Sequence, residues 1–365
     1  MKKQILLLAL AAVSCRGPQV LDPAGWDPDV HRALSTLIRD GGNASCAPYA
    51  VFDCDNTSII HDVSQNLTLY QIEHLCFGED AKRDFLPAIE DPSVRLGAPW
   101  EMTAAEAGAL LSAQYRSLEA LRDGGMDLEE IHTQELYLDF RARFLSFEEA
   151  LGEAVGYGPM CLWQPGLLAG MPLPDAKQLI DASLRAGLAE GPSQVRWVSP
   201  DGRFGGVTDR GLAVPESMKN LHRALVEHGI DTYLCSASLE MIVEALACDP
   251  EIGFGMPPER VWGIRFEEGE TIRPVAREGY PQPYMEGKVR CIEQFMAPSH
   301  CSDGPVLVAG DSNGDVAMLT AFRGTRCSLV MDCGRDGKIA ELAAMARSAH
   351  NHGRFVVQTV NPVSF

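Results

Sequence analysis

Three short apolar runs in the sequence each end in polar residues. They are Y-A-V-F-D-C-D at 49–55, I-D-T-Y-L-C-S-A-S at 230–238 and G-P-V-L-V-A-G-D-S-N-G-D at 304–315. A continuous apolar run of this length, bounded by turn residues, is typical of a strand buried on both faces. The three runs therefore predict neighbouring strands of one parallel sheet.

Helical patterns separate these runs. In P-E-S-M-K-N-L-H-R-A-L-V-E-H-G, the residues Met218, Leu221 and Leu225 fall on one face and Gly229 marks the end. Strands that alternate with helices predict an α/β fold, with a Rossmann-like parallel sheet covered by helices on both faces. Ligands bind outside the carboxyl ends of such strands, so we expect the three polar tips to converge there.

The stretch from 66 to 207 departs from this alternation. It is rich in helical apolar spacing, and glycines and prolines at 156–174 indicate a break between two helical groups. We therefore predict a large inserted helical domain. The predicted organisation is a signal peptide at 1–14, an N-terminal segment at 15–44, core at 45–65, the helical insert at 66–207, core again at 208–345 and a C-terminal tail at 346–365.

Composition and charge narrow the possible partners. The chain has 365 residues, of which 46% are hydrophobic and 22% charged, as in ordinary globular proteins. Its formal net charge is -19, and no cluster of lysine and arginine of the kind that binds a phosphate backbone occurs. We expect no nucleic-acid partner.

The N-terminus resembles an export signal. Two lysines precede an apolar stretch at 5–13 that is too short to span a bilayer as a mature helix. Cys15 follows small residues, as in a bacterial lipoprotein signal, although Ala12 stands where such signals more often carry leucine. We expect export, with lipidation of Cys15 at the periplasmic face of a membrane; a periplasmic or secreted protein and a cytosolic one are the alternatives. No other run reaches the roughly 18 apolar residues that a spanning helix needs.

The sequence contains eleven cysteines. Export would permit disulfides, but spacing alone cannot assign partners. Cys291 with Cys301 and Cys327 with Cys333 are short-range pairs that the spacing allows, and buried free thiols are the alternative. No pair of C-x-x-C motifs occurs, so we predict no zinc site, and the H-N-H at 350–352 is expected to be solvated.

Two aspartates lie one residue apart at the end of the first run. Asp53 and Asp55 would repel each other and raise each other's pKa unless a cation compensates. Mg²⁺ binds oxygen ligands and is commonly held by one or two carboxylates, and Asp311 at the third tip offers another carboxylate. A single D-x-D triplet is nevertheless a weak signal, because loops and helix starts contain many.

The order of the motifs is more specific. The motif D-C-D-N-T is followed by a run that ends in Ser236, by Lys288 at the opening of a helix, and by G-D-S-N-G-D. With these four motifs in this order, the chain resembles the haloacid dehalogenase (HAD) superfamily over about 45–65 and 208–335.

This resemblance implies a phosphatase that forms an aspartyl-phosphate. Asp53 would be the nucleophile, and Asp55 would be the general acid and base, the residue that separates phosphatases from true dehalogenases. Ser236 and Lys288 would hold phosphoryl oxygens, with Lys288 also restraining the carboxylate of Asp53.

The implied cofactor is Mg²⁺. Its ligands would be Asp53, the backbone carbonyl of Asp55, and Asp311, while Asp315 would orient the lysine or a metal-bound water. One position departs from the pattern: many relatives with phosphoserine-type substrates carry asparagine immediately before the last aspartate, where this chain has Gly314.

The helical insert occupies the position of the cap in the phosphoserine phosphatase branch, where it would close over the site. The motifs S-A-S at 236–238, Y-M-E-G-K-V-R-C-I-E-Q-F around the lysine and G-D-S-N-G-D-V-A-M-L, with the export signal, look most like secreted bacterial phosphorylcholine phosphatases and their lipoprotein relatives. The implied substrate is a small phosphate ester, such as phosphorylcholine or a similar amino-alcohol phosphate. Aromatic faces hold quaternary ammonium groups. Core packing is the expected role of each aromatic candidate in the insert, namely Trp100, Tyr115, Tyr137, Trp163 and Trp197.

Other interpretations remain open. A phosphotransferase or mutase would pass the phosphoryl group to a hydroxyl, and a catalytically inactive lipoprotein would use the fold as a binding module. Taken singly, Ser236 is a strand-end hydroxyl, Lys288 a surface lysine, and Asp311 and Asp315 a turn and a helix cap. Only their conjunction indicates a catalytic site.

Overall fold

The computed structural model describes residues 20–41, 47–300, 303–348 and 353–360. The predicted signal peptide, Cys15, Cys301 and the H-N-H at 350–352 lie outside these residues. The α-helices are α1 (Pro28–Gly41), α2 (Val63–His74), α3 (Ala104–Asp123), α4 (Leu128–His132), α5 (Glu135–Val155), α6 (Tyr157–Gly166), α7 (Leu173–Glu190), α8 (Glu216–Glu227), α9 (Glu240–Ala247), α10 (Glu286–Cys291), α11 (Val316–Ala321) and α12 (Lys338–Arg347). The strands are β1 (Tyr49–Phe52), β2 (Ser193–Val198), β3 (Gly205–Arg210), β4 (Asp231–Leu239), β5 (Val261–Ile264), β6 (Phe266–Glu267), β7 (Arg273–Ala276), β8 (Leu307–Gly310), β9 (Cys327–Asp332) and β10 (Phe355–Thr359).

The main sheet has six parallel strands in the order β10-β9-β8-β1-β4-β5. The three apolar runs form β1, β4 and β8, which are adjacent at the centre, and this confirms the predicted α/β fold. The carboxyl ends of these three strands open on the same edge, as in every parallel sheet. The polar tips are therefore brought together by topology.

Side chains of β1 alternate between two hydrophobic cores. Ala50 and Phe52 belong to the core on one face of the sheet, and Tyr49 and Val51 belong to the core on the other. All four are fully buried, as expected for a central parallel strand covered on both faces. Helices α1, α7, α8 and α9 cover the first face, and α10, α11 and α12 cover the second.

The helical insert has a hydrophobic core of its own. The five aromatic candidates named from the sequence all lie in it and are at most 2% exposed, so packing is their role. Helix α7, however, packs with the sheet core through Ala176, Ile180 and Leu184, which recur at the four-residue spacing of one helical face. The range predicted as one insert, 66–207, thus contains a helix that shares the core of the sheet.

Several strands that the sequence interpretation did not identify lie away from the three central strands. The hairpin β2–β3 crosses the predicted boundary at 207, and β6 and β7 form a second hairpin. The segment 346–365 was expected to be a tail, but its β10 pairs with β9 in the sheet. These strands are short or half exposed and so lack the continuous apolar run that marked the central three.

The cysteines in the described ranges are free thiols. The pair that spacing allowed, Cys327 with Cys333, is therefore not a disulfide here, and Cys291 is also free. Cys327 is buried in the sheet core, where a thiol packs as a small apolar group. Among these same ranges, no helix is both long and apolar enough to cross a membrane.

His222 gives the fold a sensitivity to acid. It lies on α8 between the rings of Phe52 and Phe254, is 3% exposed, and neither ring nitrogen has a hydrogen-bond partner. Burial lowers the pKa of His222 to about 3. Because the unfolded chain binds this proton near pH 6.5 and the folded chain does not, stability falls as the pH drops below 6.5.

We expect His222→Leu to remove this loss. Between pH 7 and pH 4.5, the free energy of unfolding of the native chain should fall by about 2–3 kcal/mol more than that of the variant. Urea unfolding at both pH values measures the difference, and His74→Leu, at an exposed histidine, is the matched control. Parallel pH dependences of the native chain and His222→Leu would refute this origin of the sensitivity.

Candidate active site

The candidate site lies at the carboxyl ends of the three central strands. Asp53 directly follows β1, and its amide donates to the carbonyl of Ala309 on β8 at 3.0 Å. The hydrogen bonding between β1 and β8 therefore also holds the backbone of Asp53. The chain then turns sharply: the carbonyl of Cys54 accepts from three successive amides, those of Thr57, Ser58 and Ile59. This turn puts Asp53 and Asp55 on the same edge as the tip of β8.

Lys288 lies between two of the carboxylates. Its Nζ is 2.6 Å from Oδ1 of Asp53 and 2.6 Å from Oδ1 of Asp315, and its side chain is 2% exposed. Burial alone would lower the pKa of Lys288, but Asp315 and Asp53 raise it well above its ordinary value. The lysine is therefore a fixed buried positive charge rather than the surface lysine that its position at a helix start would indicate.

Asp315 shapes the loop that carries Asp311. Its Oδ2 accepts from the amides of Asp311 at 3.1 Å and Ser312 at 3.0 Å, and from the hydroxyl of Ser312 at 2.8 Å. Its other oxygen binds Lys288, so Asp315 links the lysine to the loop after β8. This carboxylate positions the groups around it through both oxygens.

Asp311 accepts hydrogen bonds from one charged and one neutral side chain. Nε of Arg335 donates to its Oδ2 at 2.7 Å, and Oγ1 of Thr57 donates to its Oδ1 at 3.3 Å. Burial and the charge of Asp315 raise the pKa of Asp311 to about 6, against the opposing effect of Arg335. Arg335 follows β9 and lies outside the four sequence motifs, so the sequence did not identify it as a site residue.

The aspartates form a cluster that fits a divalent cation. Asp53, Asp311 and Asp315 are buried, and each offers an oxygen within 4.8 Å of the others. Burial and Asp315 raise the pKa of Asp53 well above its ordinary value, while Lys288 opposes the rise. The local negative charge thus exceeds what the lysine neutralises. A hard cation with oxygen ligands, such as Mg²⁺, suits this donor set.

Asp55 is held by hydrogen bonds on both oxygens. The amide of Val63 donates to its Oδ1 at 2.9 Å, and the hydroxyl of Ser238 donates to its Oδ2 at 2.8 Å. Burial and the charge of Asp62 raise the pKa of Asp55 to about 8. The carboxyl group is therefore suited to carry a proton near neutral pH.

Ser236 lies next to Asp55 but is not among the residues that line the cavity. It is fully buried, its Oγ accepts from the amide of Ser238 at 3.0 Å, and it donates to Asp55 at 3.4 Å. Ser238, the next but one residue, lines the cavity instead. The contact between Ser236 and a phosphoryl oxygen stays a prediction, as does the binding of metal by the backbone carbonyl of Asp55.

A cavity of about 160 Å³ opens above the carboxylates. Helix α6 of the insert lines one side of it through Tyr157, Met160, Cys161 and Gln164, which are spaced as one helical face. The sequence interpretation named none of these four. A larger groove of about 630 Å³ lies at α9 and the hairpin β6–β7 and contains none of the clustered aspartates.

Asp62 is a further lining residue that the sequence interpretation missed. It is the N-cap of α2, and its Oδ1 accepts from the amides of Ser64 and Gln65. An aspartate before a helical pattern does predict a cap. That the same carboxyl group faces the cavity depends on how α2 leaves the sheet, which no local pattern records.

Comparison with known proteins adds a relative that covers most of the chain. The phosphorylcholine phosphatase of Pseudomonas aeruginosa is 28% identical over 344 residues, which span 88% of this chain and 83% of that protein. A solved structure of a conserved protein of unknown function from Anaerococcus prevotii superposes with a TM-score of 0.82 at 26% identity, covering 95% of this chain and 98% of that one. No protein-family model matches the chain.

Proposed function

We propose that this protein is a magnesium-dependent phosphatase of the HAD type that hydrolyses a small phosphate monoester through an aspartyl-phosphate. The observation that carries the proposal is the pairing of Asp53 with a buried Lys288, beside Asp55 and Asp311 at one cavity. The similarity of most of the chain to a phosphorylcholine phosphatase supports the same activity.

In the first step, an oxygen of Asp53 attacks phosphorus while the bond from phosphorus to the leaving oxygen breaks. Lys288 holds Oδ1 of Asp53 by its short hydrogen bond and keeps a positive charge beside the transferred group. Asp55 gives its proton to the leaving oxygen, so the product departs with a hydroxyl group and not as an alkoxide.

In the second step, water attacks the phosphorus of the aspartyl-phosphate. Asp55, now ionised, takes a proton from this water, and the bond from phosphorus to Asp53 breaks to release inorganic phosphate. The pKa of about 8 for Asp55 favours the proton-donating form at the start of the cycle, and each turnover restores it. Serine hydroxyls around Asp55 hold it in place during both transfers.

Asp53 and Asp311 would hold the magnesium ion, with Asp315 behind them. When bound, the ion supplies positive charge that stabilises the oxygens of the transferred phosphoryl group. The three buried carboxylates support this assignment, because without a cation they carry an excess of negative charge in a low-dielectric site.

The substrate class we propose is phosphorylcholine or a similar amino-alcohol phosphate. The cavity is small, and its lining has the carboxyl groups of Asp53, Asp55, Asp62 and Asp311 against one basic side chain, Arg335. A cationic leaving group suits such a wall electrostatically. We further propose that the protein acts after export, held at a membrane by lipidated Cys15 or released.

A panel of phosphate esters tests the proposal. We expect the protein to release inorganic phosphate with Mg²⁺ present, to lose this activity in EDTA, and to turn over phosphorylcholine with a higher kcat/KM than phosphorylethanolamine or phosphoserine. Mg²⁺ should raise the Tm of the native chain and of Asp29→Asn, an exposed control, but not of Asp311→Asn. If no ester is hydrolysed with Mg²⁺, the proposed activity is wrong.

A further inference from the structure

Tyr157 brings a hydroxyl from the insert to the candidate site. It is the first residue of α6 and lines the cavity together with Asp53, Asp55 and Asp311. The residue is 47% exposed overall. Tyr157 was not among the aromatic candidates that the sequence indicated in the insert.

The loop after β8 leaves room for this hydroxyl. A Cβ atom added at Gly314 would lie 3.0 Å from the hydroxyl oxygen and 3.3 Å from Cε1 of Tyr157. Gly314 does not have a positive φ, so its backbone conformation does not require glycine. Oγ of Ser312 would lie 3.3 Å from the same Cβ, so the hydroxyl of Tyr157 is the nearest of the close neighbours that favour glycine one residue before Asp315.

A second close contact fixes the start of α6. A Cβ atom at Gly158 would lie 3.2 Å from Cε2 of Tyr284, in the segment that leads into α10 and Lys288. The first turn of α6 thus packs against both core segments that carry the lysine and the clustered aspartates. These two contacts hold the first turn of α6 beside the cavity that Asp53 also lines.

The surroundings of the hydroxyl favour its protonated form. Burial of the hydroxyl and the neighbouring Cys161 raise the pKa of Tyr157 well above its ordinary value. Cys161, which lines the same cavity one turn further along α6, is its neighbour in the insert, and sulfur is a weak acceptor. The phenol O–H is therefore a donor beside a cavity, and an anionic oxygen bound there is a stronger acceptor than the neighbouring thiol.

We propose that Tyr157 donates a hydrogen bond from the insert to a phosphoryl oxygen of the substrate bound at Asp53, and that Gly314 provides the space for it. This inference rests on the proposed function and adds a substrate-binding residue to it. The site is then complete only when α6 is docked on the core. Binding of the phosphoryl group and closure of the insert are coupled through one side chain.

Tyr157→Phe tests the inference, because it removes the hydroxyl and keeps the ring. We expect kcat with phosphorylcholine or para-nitrophenyl phosphate to fall about 10-fold or more, since a hydrogen bond to a charged oxygen is lost. Inorganic phosphate, titrated by calorimetry with Mg²⁺ present, should bind about 10-fold more weakly for the same reason. Tyr70→Phe is the matched control and should change neither quantity, because Tyr70 stacks on His74 and is not among the residues that line the cavity.

Gly314→Ala provides a second, independent test of the role of Tyr157. The added methyl group would lie 3.0 Å from the hydroxyl oxygen, so Tyr157 must shift by a few tenths of an ångström, and we expect the single Gly314→Ala change to lower kcat and phosphate affinity. In a Tyr157→Phe background the hydroxyl is absent, and Gly314→Ala should add little further loss. Additive losses from the two changes would contradict a shared cause.

The outcomes separate this inference from the proposed function. If the native chain is an active phosphatase and Tyr157→Phe keeps native kcat and phosphate affinity, Tyr157 does not contact the phosphoryl group and only this inference fails. If the native chain hydrolyses no ester, the phosphate titrations still decide: equal affinities for the native chain and Tyr157→Phe, or no binding by either, overturn the inference.

Discussion

Asp53→Asn abolishes turnover on this account, lowering kcat by at least about 1000-fold with every phosphate ester. Asparagine has the shape of aspartate and can still accept from Lys288, but its amide is not a nucleophile towards phosphorus. Stability should be unchanged or higher, because one of the crowded buried carboxylates is removed. Release of inorganic phosphate and the Tm measure the two effects.

Asp29→Asn is the matched control for this change. Asp29 is 84% exposed on α1 and pairs only with Arg32 in the next turn, so this variant should keep native activity and stability. A variant at position 53 that still hydrolyses para-nitrophenyl phosphate with added Mg²⁺ at more than a few per cent of the native rate would show that another group attacks phosphorus.

Lys288→Met is expected to destabilise the protein by about 3–5 kcal/mol in EDTA, in addition to abolishing activity. Methionine fills much of the space of the lysine but leaves Asp53 and Asp315 buried without their shared cation. The pKa of Asp53 then rises further, and because the unfolded chain releases that proton more readily, the loss of stability should grow as the pH rises from 5 to 8. Urea unfolding at the two pH values measures this growth.

Lys177→Met is the control, since Lys177 is exposed on α7 and its loss leaves no buried charge. It should change the free energy of unfolding by only a few tenths of a kcal/mol. A pH-independent loss in Lys288→Met would indicate a packing defect rather than unpaired carboxylates, and a loss below about 1 kcal/mol would show that the ion pairs contribute little.

The sequence predicted those parts of the molecule that depend on short continuous patterns. The apolar runs that became β1, β4 and β8 are buried throughout or nearly so, and burial on both faces leaves no polar alternation to obscure the signal. Because parallel strands share an edge, the convergence of Asp53, Asp55 and Asp311 followed from strand order alone. The predicted helix with Met218, Leu221 and Leu225 on one face is confirmed as α8, because its apolar spacing is regular.

The groups that the sequence did not predict reach the site from distant elements. Arg335 arrives from the loop after β9, and Tyr157 arrives from the insert, and neither lies in a motif. Their placement depends on packing between separate hydrophobic cores, which no local pattern encodes. The strand β10 was not predicted from the sequence for a related reason. It lies at the edge of the sheet, where its apolar residues are only half buried, so its hydrophobic pattern is weak.

The central claim is that the carboxylate of Asp53 takes up the phosphoryl group. Rapid quenching during turnover of a ³²P-labelled ester, followed by borohydride reduction and mass spectrometry of the peptide that contains residues 49–55, tests it most directly. The account predicts a transient label that is acid-stable and base-labile, with Asp53 alone reduced to homoserine. Steady hydrolysis without any label on this peptide, or a label on Asp55, would contradict it.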